Sequence, residues 1–331
     1  MTRITESQVL RNTIDLIQKS RSDVVKYSQE ASSGIAVAKP GDDPTLAPAI
    51  ADMRETVRRY DKHKLRIETA RGVLGLQSDI MTQANDIMVR AKELATQGAN
   101  ETLGPSVRAQ MAAEVLELRN AIVGMANTKY QGRYIYGGAA DSTAPYNPDV
   151  VPYTNSTSAE AAKRYSYTTS IGNDSIRSVY VTDSTKVDVN TPGNQVFDNA
   201  IHALEILGRS LEGFKSSTVG GVPDGGGIAY DFSTETSVQT QDILSTIDLI
   251  EASRTNDLQN EQVTVAGRLA RIDNSVSILD SLQLNLNEVL SRTQGADVFD
   301  SATNLNQAQN ALETSLAVSG KVLQISLLDY L

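Results

Sequence analysis

The chain is poor in the residues that build most active sites. Of its 331 residues none is cysteine or tryptophan, and only two are histidine. Without cysteine there is no disulfide, no thiolate metal site and no cysteine nucleophile, although neither an oxidising nor a reducing compartment is excluded. Two histidines leave little material for metal binding or acid–base catalysis. The sequence therefore predicts a protein that is not an enzyme and that has neither a metal site nor another cofactor.

Positive charge and long apolar runs are scarce as well. Lys and Arg number 30 against 40 Asp and Glu, which gives a formal net charge of −10. Nucleic acids and anionic membranes require a basic surface, so we expect no nucleic acid as a partner and no membrane insertion. No stretch approaches the ~20 apolar residues of a membrane span. The N-terminus also lacks the uninterrupted apolar core of a secretory signal, and we expect any export to use no cleaved signal peptide.

The few residues that could carry chemistry have simpler explanations. His63 lies in the polar run RRYDKHKLR, which favours an exposed position on a helix. His202 is more simply a structural helix residue, because no second metal ligand lies three or four positions away. Residues 319–321 read Ser-Gly-Lys as in a phosphate-binding loop, but Val322 stands where that loop requires Ser or Thr.

What the sequence does contain is helical periodicity at both ends. Between residues 4 and 37 apolar residues follow a 3.5-residue repeat, typical of a coiled-coil seam, which Arg21 and Ser28 interrupt. A leucine stripe occupies the last segment. Neither helix can bury its stripe alone, so we expect the two to pair. The predicted packing residues are Leu10, Ile14, Ile17, Val24 and Ile35 in the first helix and Leu305, Leu312, Leu316, Leu323 and Leu327 in the last.

An irregular segment separates the first helix from the next one. It reads SSGIAVAKPGDDPTLAPAIA over residues 32–51. Gly34 is predicted to end the first helix, Asp43 to cap the second and Pro44 to occupy its first position. A counterpart, TQGADVFDS, occupies residues 293–301. We therefore predict a joint near each end of the chain, with Gly34, Asp43 and Pro44 as hinge and cap residues.

The whole pattern predicts a mainly α-helical fold with a small β insertion. Helical periodicity dominates the flanking sequence, whereas a tyrosine-rich, alternating pattern marks the middle of the chain. Glycine-rich residues 217–233 are predicted to form a flexible loop. We expect an inner domain of long antiparallel, coiled-coil-like terminal helices (1–42 and 296–331), a helical rod domain (43–135 and 196–295) and an outer β-rich domain (136–195).

The interrupted stripes of the terminal helices have a consequence for function. A single pair of such helices buries too little surface to offset the entropy lost on ordering it. Many copies packed together would give each pair neighbours on several sides. The sequence therefore predicts ends that become ordered on assembly.

Several segments resemble the bacterial flagellin superfamily. Residues 32–54 resemble its Leu-Ser-Ser-Gly…Asp-Asp-Pro segment, and residues 90–138, which begin RAKELATQGANET, are similar to its Arg-x-x-Glu-Leu-x-x-Gln-x-x-Asn-x-Thr block. YIYGGAADSTAPY (134–146) and SLLDYL (326–331) are similar to the branch of that superfamily that joins the flagellar hook to the filament.

The resemblance implies a structural axial protein of the flagellum, located outside the cell after type III export. The implied partners are copies of itself in a ring, a neighbouring hook-associated protein and flagellin. A cytosolic export chaperone is implied at the C-terminal helix, about residues 304–331. Two alternatives remain: a filament-forming flagellin and, from another class, a secreted adhesin-type binding module that uses the β insertion.

Overall fold

The computed structural model describes residues 6–149, 162–168, 175–215, 217–219, 222–224, 229–232 and 234–328. The chain divides into two compact units, which we call the terminal unit (residues 1–61 and 279–331) and the central unit (residues 62–278). Long helices with a few short antiparallel strands confirm the predicted fold class. The finer division into three domains stays a prediction.

Long α-helices form most of the described chain. A turn that precedes Pro105 separates the second helix from the third. A π-helical turn, Ser253–Gln259, lies between the fifth and sixth helices. The sequence pattern does not predict this turn. The helices are α1 (Glu6–Ser33), α2 (Ala47–Gly98), α3 (Pro105–Ala126), α4 (Asp198–Glu212), α5 (Thr236–Ala252), α6 (Asn260–Gln294) and α7 (Val298–Leu328).

The strands are short and pair as two-stranded antiparallel sheets. Strands near Tyr165, Val179 and Val187 confirm the β insertion that the alternating pattern predicts in the middle of the chain. Two strands also form within 217–233, predicted as a loop, where β-branched side chains favour pairing. The pairs are β1 (Lys129–Tyr130) with β2 (Arg133–Tyr134), β3 (Tyr146–Pro148) with β4 (Tyr165–Tyr167), β5 (Ser178–Tyr180) with β6 (Lys186–Asp188), and β7 (Ser217–Val219) with β8 (Val222–Asp224).

The hydrophobic core lies in the central unit, where α4 packs against α3 and α5. Helix α4 is buried along most of its length, from Ala200 to Leu211 with one half-buried position. Tyrosines of the β region join this core: the rings of Tyr136 and Phe197 meet edge to face at 4.8 Å. The central unit therefore has a hydrophobic core of aliphatic and aromatic side chains. Its buried apolar side chains include Met81, Met88, Leu94, Val115, Ile122, Leu204, Leu207, Ile243 and Ile250.

Glu251, near the end of α5, gives the central unit a pH dependence. Its carboxylate accepts hydrogen bonds from Arg254 and from Lys92 of α2, whose Nζ lies 3.1 Å from Oε2, and these bonds lower the pKa of Glu251 from 4.5 to about 2. A carboxyl with a lowered folded-state pKa stabilises the fold above its unfolded pKa, and this contribution is lost as the pH falls through the folded value. We therefore expect Glu251→Gln to lower the thermal midpoint at pH 7. The difference from the parent protein should shrink between pH 5 and pH 3, as followed by circular dichroism.

The control for this prediction is Glu117→Gln, because Glu117 is an exposed carboxylate on α3 of the same unit. Its difference from the parent should stay flat over the same pH range. A difference for Glu251→Gln that is equally large at pH 7 and pH 3 would contradict the assigned role.

Candidate assembly site on the terminal helices

Helices α1 and α7 pack against each other in the terminal unit, as the sequence predicts. The buried described side chains of these two helices are small: Thr13 on α1 and Ser301 and Ala308 on α7. Small side chains allow two helix axes to approach closely. These positions were not singled out by the sequence, since a search for large apolar residues passes over them.

The large residues predicted to pack occupy several environments. Ile14 and Leu316 are 45% and 52% exposed, because each helix covers only part of its partner's apolar stripe. Their pairing in an assembled tube stays a prediction. The side chains of Leu10, Leu323 and Leu327 lie outside the described residues. The half-buried members are Ile17, Val24, Ile35, Leu305 and Leu312.

Further apolar side chains of this pair face solvent. Leu16 of α1 and Val318 of α7 are 59% and 50% exposed. They line an open groove of about 360 Å³, whose other lining residues are Thr13, Ala311, Thr314 and Ser315. Exposed apolar surface of this kind marks sites of protein–protein contact. We call the groove and its six lining residues the α1–α7 groove.

The terminal unit has little hydrophobic core of its own. Among its described residues, the fully buried apolar side chains are Ile50, Leu279 and Ala308. Exposed large apolar side chains are present on α1, on the last part of α6 and on α7. The hydrophobic contribution to the stability of this unit is therefore small, and association would bury what the fold leaves exposed.

The two predicted joints are hydrogen-bonded to each other. Ala36 N donates to Gln294 O at 2.7 Å, and Ala296 N donates to Gly34 O at 2.8 Å. Ile35 and Gly295 pair as an isolated antiparallel bridge between these bonds. The two connectors thus form a short two-stranded link within the terminal unit. Movement of one connector requires movement of the other or the loss of these bonds.

Arg54 of α2 fixes the link from a third element, because its Nη2 donates to Gln294 Oε1 at 2.8 Å. The sequence predicts a joint at each end of the chain but holds no sign that they pair. The signal that could have found it is weak, since it consists of a glycine in each connector.

Gly34 has the backbone conformation of a helix C-terminus. Its φ is +69°, and its N–H donates to Glu30 O at 2.9 Å. A Cβ at this position would meet no atom within 4 Å, so the conformation alone penalises other residues. We expect Gly34→Ala to destabilise the terminal unit by about 1 kcal/mol through the left-handed conformation. Faster amide exchange at the ends of α1 and α6 would measure it.

Gly75 of α2 supplies a matched control. A Cβ at Gly75 would likewise meet no atom within 4 Å, but this glycine lies in a right-handed helix. Alanine there should stabilise the protein by roughly 0.5–1 kcal/mol. Equal effects of the two substitutions would show that the left-handed conformation of Gly34 has no energetic role.

Asp43 has the geometry of the predicted helix cap. Its Oδ1 accepts hydrogen bonds from Thr45 N at 2.8 Å and from Leu46 N at 3.2 Å. The prediction that Pro44 occupies the first position of the second helix was wrong, because these bonds close a turn over residues 43–46 and α2 begins at Ala47. The hydrogen bonds from the Thr45 side chain and backbone lower the pKa of Asp43 below its usual value. The carboxylate form therefore holds the start of α2 at neutral pH.

Two other aspartates in the joints also accept hydrogen bonds from nearby backbone N–H groups, and these roles were not predicted from the sequence. Asp42 Oδ2 accepts from Ala38 N at 3.1 Å and from Lys39 N at 2.8 Å, which closes the first connector on itself. Asp297 Oδ1 accepts from Phe299 N at 2.8 Å at the start of α7. The signal for Asp297 was present in the sequence, since an Asp directly before an apolar helical run is a common cap.

His63, in the central unit, was predicted to be exposed, and this was wrong. It is only 6% exposed, with Nε2 at 3.1 Å from Asp183 Oδ1 and Nδ1 at 3.3 Å from Tyr180 O. Its neighbours on the buried face of α2 are Ile67 and Ala70, so helical spacing carries the histidine inward although its sequence neighbours are polar.

His202 fits its expected structural role on α4. Burial, with the nearby Arg164, lowers its pKa, which keeps the ring neutral. Within the described ranges no group of three or more His, Asp or Glu side chains could hold a metal ion. No described helix is both long enough and apolar enough to cross a bilayer.

Comparisons with known proteins agree with this arrangement of helices. Residues 4–141 match the family described as the bacterial flagellin N-terminal helical region. Over these residues the chain is similar to the helical region of bacterial flagellins. More narrowly, it is similar to proteins named flagellar hook-associated protein 3.

The curated relatives are named flagellar hook-associated protein 3. That of Escherichia coli is 26% identical over 163 residues, or 49% of this chain and 51% of the relative. That of Salmonella typhimurium is 25% identical over 146 residues, or 44% and 46%. The chain thus spans about half the length of the curated relatives that it matches.

A solved structure extends the likeness beyond the matched sequence. The flagellar junction protein FlgL from Legionella pneumophila superposes with a TM-score of 0.55 at 13% identity, covering 76% of this chain and 100% of that one. At this level of identity the superposition shows a common fold.

Proposed function

We propose that this chain is a structural axial protein of the bacterial flagellum, the adaptor at the junction between hook-associated proteins and the flagellin filament. The observation that carries the proposal is the terminal unit, in which few described apolar side chains are buried and many are exposed, while the central unit has a full core. A subunit built in this way is completed by its neighbours. The names of its homologues support the same role.

The proposed partners are copies of the chain in a ring, a neighbouring hook-associated protein on one side and flagellin on the other. A ring requires a heterologous contact, in which one surface of a subunit meets a different surface of the next. The exposed stripes of α1 and α7 provide apolar surface in more than one direction, through Leu16, Val25 and Leu316 among others. The location that follows is outside the cell, in the flagellum, after type III export without a cleaved signal peptide.

A cytosolic chaperone on the C-terminal helix belongs to the same proposal. The described part of α7 exposes Leu316 and Val318, and an unassembled chain carries this apolar surface in the cytosol. A chaperone that covers residues 304–331 would prevent premature association. The proposal assigns the chain no catalytic activity and no cofactor.

In this role the linked joints let one subunit contact two different neighbours, the hook-associated protein and flagellin. Gly34 ends α1 in a left-handed conformation, while Asp43 and Pro44 lie in the turn that precedes α2. The backbone bonds between the connectors would keep the two terminal helices moving as a pair. Hinge motion would thus be shared between both ends of the chain.

Deletion of the gene, examined by electron microscopy, tests the proposal. We expect hooks without filaments and flagellin released into the medium, with filaments restored by the full-length gene. Normal filaments on the deletion strain would overturn the junction role. Purified protein that extends flagellin seeds into long filaments would instead identify a filament flagellin.

A further inference from the structure

A cavity in the central unit is not used by the proposed junction role. It has a volume of about 570 Å³ and lies between α2, the β1–β2 pair and the β5–β6 pair. Its wall includes three arginines, Arg66, Arg133 and Arg177, and the described residues of the wall include no carboxylate. Pockets that bind small molecules commonly span about 300–1,000 Å³. We call this the arginine cavity.

The three arginines are incompletely neutralised. Arg133 Nη1 and Arg177 Nη1 lie 3.2 and 3.1 Å from the same oxygen, Oδ2 of Asp141. Arg66 forms no ion pair or hydrogen bond with any residue that the structure describes. Two guanidinium groups therefore share one carboxylate, and the third has no described ion-pair partner, in a chain whose formal net charge is −10. This local excess of positive charge favours an anionic ligand.

Tyrosine rings and apolar side chains form the rest of the cavity. Tyr134 and Tyr180 each carry an ammonium group over one ring face, with Lys129 Nζ at 4.5 Å and Lys186 Nζ at 4.6 Å from the ring centroids. These contacts hold the rings in place and add positive charge at the rim. Val73 and Ile135 supply apolar surface, so the ligand should have an apolar face as well as a negative charge.

We infer that the arginine cavity binds a carboxylated sugar, such as a uronate. A guanidinium group matches a carboxylate through two parallel hydrogen bonds, and no described residue competes for those of Arg66. Sugar hydroxyl groups can donate to the hydroxyl oxygens of Ser178 and Thr69, whose own hydrogens go to Asp188 and to Leu65 O. The C–H face of the sugar ring can pack on tyrosine. A neutral sugar would leave Arg66 without a carboxylate, and inorganic phosphate would leave the tyrosine rings uncovered.

Titration of the full-length protein with digalacturonate, followed by calorimetry and saturation-transfer NMR, tests the inference. We expect saturable binding that weakens as the salt concentration rises, and no binding of the neutral disaccharide galactobiose. Arg66→Gln should weaken binding at least about tenfold, since hydrogen bonds to charged groups are among the stronger ones. Arg66→Lys retains the positive charge but cannot form two parallel hydrogen bonds. Its affinity should lie between those of the parent protein and Arg66→Gln.

Arg58→Gln is the matched control, because Arg58 is an exposed arginine on the same helix and lies outside the cavity wall. Its affinity should equal that of the parent protein. Equal binding of galactobiose, an unchanged affinity of Arg66→Gln, or tighter binding of tetraglutamate would each overturn the inference. Tighter binding of trigalacturonate than of free galacturonate would assign a polysaccharide, and equal binding a free sugar acid. Failure here leaves the junction role intact, because that role is read from filament growth.

Discussion

Replacing both Leu16 and Val318 by serine is expected to stop filament growth while leaving the monomer folded. Both side chains line the α1–α7 groove and are at least half exposed in the single chain. Exposed substitutions usually change the free energy of unfolding by no more than about 0.5 kcal/mol. In the proposed assembly each buried side chain would contribute roughly 1.5–3 kcal/mol per subunit, and a ring repeats the loss in every copy. Electron microscopy of the complemented deletion strain and urea unfolding of the purified variant measure the two effects.

Leu244→Ser is the control for that experiment. Leu244 is 47% exposed on α5 of the central unit, so the same chemical change is made at similar exposure away from the groove. Filament growth should be normal in this strain. Normal filaments with the double variant, or their loss with Leu244→Ser, would show that the groove is not an assembly surface.

Local signals explain why much of the terminal unit could be predicted. Helix caps and breakers act over a few residues, so Gly34 and Asp43 were recognised from sequence and have the expected geometry. The pairing of α1 with α7 also followed, because neither stripe can be buried within one helix. The link between Gly34 and Ala296 could not be predicted, since it depends on how far each helix extends and on the register between them.

Residues that are buried for reasons of tertiary structure were missed. His63 has polar neighbours in sequence, yet its helix face turns it toward Asp183. Thr13 and Ala308 are buried because they are small, a property that hydrophobic periodicity ranks low. The arginine cavity is formed by segments more than 100 positions apart in sequence, such as those carrying Arg66 and Arg177. Hydrophobic periodicity therefore predicts which helices form. It predicts far less about which side chains become buried when the helices pack.

Arg108 of α3 is the buried charge on which the central unit most depends. It is 1% exposed, and its Nε and Nη2 each donate at 3.0 Å, to Gly98 O and to Asn100 O. Its Nη1 donates to Gln239 of α5. One guanidinium group thus bonds the last carbonyl of α2 and a carbonyl of the following turn, and it ties three helices together. Burial lowers the pKa of Arg108, but an arginine remains charged at neutral pH.

Arg108→Met is expected to destabilise the central unit by about 3 kcal/mol or more. Methionine fills part of the space but leaves Gly98 O and the Gln239 amide oxygen without this donor, at roughly 1–3 kcal/mol each. Asn100 O keeps a hydrogen bond from Leu103 N. For a unit of this size the thermal midpoint should fall by roughly 6–12 °C, as measured by calorimetry. Amide exchange should rise at the end of α2 and the start of α5.

Two further variants decide whether the hydrogen bonds or the mere loss of an arginine cause that effect. Arg90→Met makes the same change at an exposed arginine of α2, which bonds Glu93 and Glu114 at the surface, and it should be far milder. Adding Gln239→Leu to Arg108→Met removes one stranded acceptor, so the double variant should be more stable than the sum of the two single effects predicts. Strict additivity would mean that Arg108 and Gln239 do not act together, and the stabilisation would then come from the hydrogen bond to Gly98 O and from the packing of the arginine side chain.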